Sequence, residues 1–379
     1  MNAPTPLIPA SSAEQLGIST GAFDSASDMI QGWVERDIAP AAAIGLAGNG
    51  YTLSRGFGRM KPGPSSDQVP PNAVFLTASV TKPVTCTAIG QLVERGLIQL
   101  STTVQSIVPE FSGNGKDGVT IHHLLTHTSG LPDMIPENMD YRKSFRPLSD
   151  FIERICTLEL LFPPGTGISY QSTGIAMLGE IVFRVTGSTL PQFLKQELFE
   201  PLGMRDTSLG VGDLDELRIP IIRVPDDQME AEWHWNRSYW RTLGAPWGGM
   251  FSTVTDMNIF LHTFLNHGKY GEARVLAPST IAAMTSNHTG GMQGISAEAR
   301  GKEAWGLGWR LNQPIPVFGA QSSPSATAFG HFGATGTMNW ADPATGYSCA
   351  VFTTQPSMCG SSEFQALTDI ICNALGAKG

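Results

Sequence analysis

The chain has little cysteine. Its five, Cys86, Cys156, Cys349, Cys359 and Cys372 in 379 residues, are odd in number and lack metal-type spacing, which points to reduced thiols rather than a disulfide framework. Charge is also sparse: only 15% of residues are Asp, Glu, Lys or Arg, the formal net charge is -9, and the pI is near 5.4. Without a run of Lys or Arg there is no electrostatic footprint for nucleic acid or an anionic membrane surface, so neither is expected as a partner. No segment approaches the roughly eighteen uninterrupted apolar residues of a membrane-spanning helix. The N-terminal MNAPTPLIPASSAEQLG has no basic region followed by an apolar stretch, so no secretory signal is read there and a cytoplasmic location is expected.

What is present is a large apolar fraction, 41%, enough to bury a sizeable core as one large domain or two intimately packed ones. Residues 1–19 read as a lead. An amphipathic helix over 22–38 and a hairpin of 41–46 and 52–58, joined by Gly48-Asn49-Gly50, come next. Helical periodicity then dominates, with stretches at 121–127, 148–161, 173–185, 190–199 and 278–286. Thr253-x-x-Asp256 has the form of a capping box opening a helix through Leu265. After about residue 290 the period changes to that of strands, over 305–311, 326–331, 335–340 and 347–353, and a helix over 364–375 closes the chain. Strands at both ends predict one sheet: an α/β part from 20–85 and 290–379, interrupted by a helical part over 86–289.

Thr77-Ala78-Ser79-Val80-Thr81-Lys82 heads a helix whose apolar stripe is Val80, Val84, Ala88 and Leu92. Pro83 belongs in a first turn, so the helix starts close to Ser79, and Gly96 marks its end. Residues three apart share a face, which aims Ser79 and Lys82 into the same space. A serine hydroxyl becomes a nucleophile when a nearby base takes its proton, and a lysine serves as that base only when burial or neighbouring cations make it partly neutral.

Ser79-Val80-Thr81-Lys82 is followed in order by His122-His123-Leu124-Leu125-Thr126-His127-Thr128-Ser129-Gly130-Leu131-Pro132, Pro164-Gly165-Thr166, Tyr170-Gln171-Ser172, Pro246-Trp247-Gly248-Gly249 and Gly330-His331-Phe332-Gly333-Ala334-Thr335-Gly336. The series, spread over residues 20 to 375, resembles the serine β-lactamase-like hydrolases: class C β-lactamases, D-aminopeptidases and family VIII carboxylesterases. The resemblance implies a β-lactamase-like fold, an antiparallel sheet flanked by helices with a large helical insertion. It also implies Ser79 as nucleophile of an acyl-enzyme, Lys82 and Tyr170 sharing its proton, and an oxyanion hole from the N–H groups of Ser79 and Ala334. A phenol titrating near 10 works as a base only if a cation such as Lys82 stabilises its phenolate.

Two departures bear on substrate. His331-Phe332-Gly333 stands where β-lactamases usually have Lys-Thr-Gly. A permanent cation is thus replaced by a group mostly neutral at pH 7 and charged only below about 6.5, and a β-lactam carboxylate loses its anchor. Ser172 stands where the class C pattern usually has asparagine. A hydroxyl can accept a hydrogen bond from Lys82 but lacks the two N–H donors of an amide. Ser172, His331, Phe332 and Gly333 are therefore candidate substrate contacts, and both changes favour neutral, short-chain or aromatic esters. Trp233, Trp235, Trp240 and Trp247 cluster beside the expected cleft, either as walls of an apolar pocket or as rings sealing a loop onto the core.

His123 and His127 are four apart like zinc ligands on a helix, but Leu124 stands where the glutamate is needed, so neither a metal nor another cofactor is expected. Gly346-Tyr347-Ser348-Cys349-Ala350 has the outline of a nucleophile elbow, yet ends in alanine inside a hairpin strand. The sequence therefore predicts a carboxylesterase acting on a small-molecule ester, with a β-lactamase or D-amino-acid peptidase, or a catalytically silent binding module, as alternatives.

Overall fold

In a computed structural model the chain is described over residues 5–319 and 324–376. Twelve strands occur there: β1 Ile8–Pro9, β2 Ala41–Gly48, β3 Tyr51–Gly58, β4 Phe75–Leu76, β5 Ser208–Leu209, β6 Met250–Ser252, β7 Lys269–Tyr270, β8 Ala273–Arg274, β9 Arg310–Leu311, β10 Phe329–Gly333, β11 Thr337–Asp342 and β12 Tyr347–Thr353. Seven form one sheet in the order β1-β3-β2-β12-β11-β10-β9, in which strands from both chain ends meet at the β2–β12 pair. The pairs are antiparallel except for β1 on β3. That edge strand and the buried Ala13 and Leu16 tie down residues 8–16 of the stretch read as a lead. The hairpin turn falls on Asn49 and Gly50, both at positive φ as a two-residue turn of this type requires.

Alternation along the strands divides the core in two. Ala42, Ile44 and Leu46 of β2, with Cys349 and Val351 of β12, face the first and last helices, Thr20–Glu35 and Ser362–Gly376, where Trp33 meets Phe364 at 6.1 Å. Ala41, Ala43, Ala350 and Phe352 face the other way, into the core shared with the helices of the middle of the chain. The helix Val254–Leu265 packs on this second face against β2, β11 and β12, so the sheet draws one covering helix from within the 86–289 stretch. Small residues make the close approach possible: a Cβ at Gly45 would lie 2.8 Å from Asn258 Nδ2 and 2.9 Å from Val254 Cβ.

Where elements differ from the sequence pattern, tertiary contacts supply the reason. Thr253 caps the helix Val254–Leu265 by accepting from Asp256 N–H at 3.0 Å. The Asp256 carboxylate does not close the box; it turns to the Asp206 N–H and the Thr207 hydroxyl, both at 2.9 Å. The stretch read as a strand over 305–311 keeps only β9, because Gly308 at φ 85° breaks it. The helix expected over 190–199 widens to a π-turn at Lys195–Phe199. All five cysteines are free thiols, and four are buried. Among the described residues no helix is long and apolar enough to cross a membrane.

Gly45→Ala should lower stability by about 1–3 kcal/mol through overpacking against Val254 and Asn258. Urea denaturation checks this; a midpoint equal to wild type would show that the helix can shift outward at no cost.

Candidate active site

Ser79 lies in a short 3₁₀ turn, Ala78–Val80, that runs into the α-helix Thr81–Glu94. The turn is tight because Ala78 adopts a φ of 46°, a left-handed conformation that costs a residue with a Cβ on the order of 1 kcal/mol. Buried hydroxyls hold it. Thr81 Oγ1 donates to the Ala78 carbonyl at 2.6 Å and accepts from Met250 N–H at 3.1 Å. Thr77 donates both its N–H, at 2.8 Å, and its hydroxyl, at 3.0 Å, to the Met250 carbonyl, and Thr85 donates to Pro246 at 2.7 Å. These threonines fasten the nucleophile turn to residues 246–250.

That fastening brings the Trp247 carbonyl onto Lys82. The lysine is fully buried, with Nζ 2.9 Å from Ser79 Oγ and 3.0 Å from the Trp247 oxygen. Burial pushes its pKa down from 10.5 to about 7, opposed by the negative charge of Asp133. A carbonyl only accepts, so one amine N–H is committed to Trp247 and, in the neutral amine, the lone pair is free for the Ser79 hydroxyl proton. Ser172, although mostly buried, makes no hydrogen bond to Lys82 among the described residues.

Lys82 Nζ lies 4.6 Å from the centre of the Tyr170 ring. Burial raises the phenol pKa above its usual 10, and interaction with the Ser79 hydroxyl offsets this only in part. Tyr170 therefore carries its proton at neutral pH, whereas the expected base role needs a phenolate stabilised by Lys82; burial shifts Lys82 itself toward its neutral form. The Tyr170 segment hangs on the turn before it. Gln171 N–H donates to His127 Nδ1 at 3.2 Å, and Ser169 N–H to the His127 carbonyl at 2.9 Å. The Gln171 amide donates to the His123 and Leu124 carbonyls at 3.4 and 3.3 Å and accepts from the Ser129 hydroxyl. His127 thus supports Tyr170, and His123 accepts from Thr120 N–H at 3.2 Å to cap its own helix. Asp133 Oδ1 and its main-chain oxygen both accept from Ser172 N–H, at 2.8 and 2.9 Å.

The far wall is β10. A side chain at Gly333 would collide with Thr77 O and Thr337 Oγ1, so the strand touches the residue pair preceding Ser79. Thr335 and Thr337 hydroxyls donate to the Leu76 and Thr77 carbonyls, each at 2.7 Å. Ala334 follows, exposed at the head of the turn between β10 and β11. The His331 ring points to the Tyr170 side, 5.9 Å from Tyr170 and 6.0 Å from Trp305, but is only 3% exposed. Phe332 points to the opposite face of the sheet, 5.4 Å from Phe318, so its side chain is remote from Ser79. Trp240 and Trp247 are core residues, Trp235 packs partly buried against the same core, and Trp233 is half-buried over Arg142. Trp247 enters the site through its carbonyl, and Trp233 and Trp240 flank the Arg142 guanidinium.

Sequence patterns missed Trp305. It is fully buried, 4.3 Å from His127 and 5.9 Å from Tyr170, and is clamped by Glu303 at 3.1 Å and Arg310 at 5.0 Å. Gln171, Asp133 and the threonines were also missed; hydroxyls recurring inside an apolar helix were the available signal. A cavity of about 1130 Å³ opens elsewhere, between the loop around Arg223–Arg237 and Gln355–Ser357, and none of these catalytic candidates lines it.

A mixed sheet covered by helices, with a serine-lysine pair at a helix head facing a strand edge, defines a serine hydrolase of the β-lactamase-like class. The sequence matches the family described as Beta-lactamase over residues 27–368, and the chain belongs to that family. It is 25% identical to a Salmonella schwarzengrund protein named "Putative D-alanyl-D-alanine carboxypeptidase", over 93% of this chain and 87% of that one. Its fold is similar to that of a penicillin-binding protein homolog from Caulobacter crescentus, with TM-score 0.78, 23% identity and coverage of 94% and 99%. It is also similar to that of a family VIII carboxylesterase, with TM-score 0.75, 23% identity and the same coverage.

The rate of Ser79 labelling by a fluorophosphonate should rise with pH through about 7 as Lys82 loses its proton. Asp133→Asn keeps an oxygen for Ser172 N–H but removes the charge that favours the ammonium, so the midpoint should move to lower pH. A labelling rate flat between about pH 5 and 9 would rule out Lys82 as the base.

Proposed function

We propose that the protein is a carboxylesterase that cleaves esters uncharged around the scissile bond through a Ser79 acyl-enzyme. The observation that carries this reading is the fully buried Lys82 hydrogen-bonded to Ser79, combined with a neutral imidazole on the strand opposite. Burial pushes His331 down to about 3, so the ring stays uncharged at working pH. Mild acid does not convert it into the cation expected below 6.5, and the Arg310 guanidinium of the neighbouring strand is already paired with Glu303 at 2.9 Å.

In the reaction, Ser79 Oγ attacks the ester carbonyl as its proton passes to neutral Lys82. The developing oxyanion is received by the N–H groups of Ser79 and Ala334, donors of a kind typically worth about 10²–10³-fold in rate. The Tyr170 phenol donates its proton to the departing alkoxide and is reprotonated from the Lys82 ammonium. Water then replaces the alcohol: it yields a proton through the same pair, attacks the acyl carbon and releases the acid. Protonated Tyr170 suits this relay, because an alkoxide is a far stronger base than a phenolate.

A panel of short p-nitrophenyl esters, nitrocefin and D-alanyl peptides tests the reading, the last arm being prompted by the Salmonella relative. Esters should be turned over fastest; preferential cleavage of D-alanyl peptides would replace the proposal. Ser79→Ala should abolish turnover with the fold retained. Lys82→Ala and Tyr170→Phe should each cost about 10²–10⁴-fold, and the double variant little more than the worse single, because the two groups move one proton. Fully multiplicative losses in kcat/KM would show that they act independently.

A further inference from the structure

Arg142 stands out among the described residues as a nearly buried cation with no anion. It lies on the short helix Asn138–Lys143 and is 9% exposed, yet its guanidinium makes no ion pair or hydrogen bond with any described residue. Its Nε is fully enclosed without an acceptor. Its company is aromatic: the guanidinium carbon lies 4.2 Å from the Trp240 ring centre and 5.2 Å from that of Trp233. Tyr239 lies next along the chain and is held to the same segment by its hydroxyl, which donates to the Arg146 carbonyl at 2.8 Å. Burial lowers the Arg142 pKa to about 10, so it remains charged at neutral pH.

Ring contacts offset part of the cost of burying a guanidinium, but they engage its faces and leave the in-plane N–H fork unused. That fork matches a carboxylate bidentately. Both segments that enclose Arg142 lead to the catalytic groups. Residues 138–143 follow Asp133, which holds Ser172. Trp240 begins the run to Trp247, whose carbonyl binds Lys82. Phe151 bridges the two, 5.3 Å from Tyr141 and 6.0 Å from Trp247. Both walls around Arg142 are thus continuous along the chain with residues that touch the catalytic groups.

We propose that Arg142 is the anchor for a carboxylate at the far end of the substrate's acyl chain, so that the preferred esters are monoesters of dicarboxylic acids. This rests on the acyl-enzyme reading and refines it: the ester is uncharged around the scissile bond and anionic at the distal end of the acyl group. An enclosed anchor suits the acyl half, which stays bound through both half-reactions, whereas the alcohol side must exchange with water between them.

The experiment compares kcat/KM for mono-p-nitrophenyl succinate, glutarate, adipate and suberate with that for p-nitrophenyl alkanoates of matched length. One chain length should exceed its uncharged partner by about tenfold or more, the worth of a charge-assisted hydrogen-bonded pair. In Arg142→Met, which removes charge at similar volume, that ratio should fall to near one, and Arg142→Lys, lacking the fork, should recover only part of it. Calorimetric binding of free glutarate, adipate and suberate to wild type and Arg142→Met needs no turnover. It therefore separates failure of the anchor from failure of Ser79 as nucleophile. Saturable dicarboxylate binding in wild type that is lost in Arg142→Met supports the proposal even if no ester turns over. No anionic preference at any length in wild type, or a preference unchanged in a folded Arg142→Met, overturns it.

Discussion

The contact between Lys82 Nζ and Ser79 Oγ is useful only because the amine has no water around it. At the surface, a lysine titrating near 10.5 would be almost wholly protonated at neutral pH and would donate to the serine rather than accept from it. Here the stem is sealed by the core, and among the described residues the one hydrogen-bond partner of the amine besides the serine is the Trp247 carbonyl. Much of the surrounding architecture serves this enclosure. The strained Ala78, the threonine stitches to Met250 and the glycine-lined approach of β10 keep the helix head closed on all sides but the one Ser79 faces.

The aromatic and imidazole layer behind Tyr170 has the same logic. His127 and His331 are both held neutral by burial, and the charge of Lys82 adds to that effect. Two neutral rings and Trp305 give Tyr170 a weakly polar backing. The layer is anchored outward through Trp305 to the Glu303–Arg310 ion pair, so a surface feature helps set the orientation of a buried phenol.

The fold was largely legible because its signals are periodic. The apolar runs of β2 and β12, the four-residue stripe after Ser79 and the Asn49-Gly50 turn each reflect a local rule that the structure obeys. The catalytic candidates were legible for a different reason, the order of short motifs along the chain. Patterns failed where a side chain answers to a distant partner. Asp256 has the spacing of a capping residue and is taken by Thr207. Phe332 belongs to a substrate-facing motif, but alternation turns it to the other face. The tryptophan cluster read equally well as pocket or seal, since spacing does not encode which rings the core claims. Arg142 was invisible for the same reason, because the lack of an acidic partner is a property of three-dimensional neighbourhoods.

Sheet order carries a consequence for biosynthesis. β2 pairs on one side with β3, its immediate successor, and on the other with β12, about three hundred residues later. The Thr335 and Thr337 hydroxyls that brace the nucleophile turn reach back 259 and 260 residues. A ribosome-bound chain that has exposed Ser79 and Lys82 therefore still lacks the strand that closes their cleft. The incomplete polypeptide is chemically inert but carries an unpaired, alanine-rich sheet edge, the kind of surface that invites association with other chains. During synthesis, then, the hazard lies in adhesion rather than in premature hydrolysis, and the emergence of β10 to β12 ends both the inertness and the exposure.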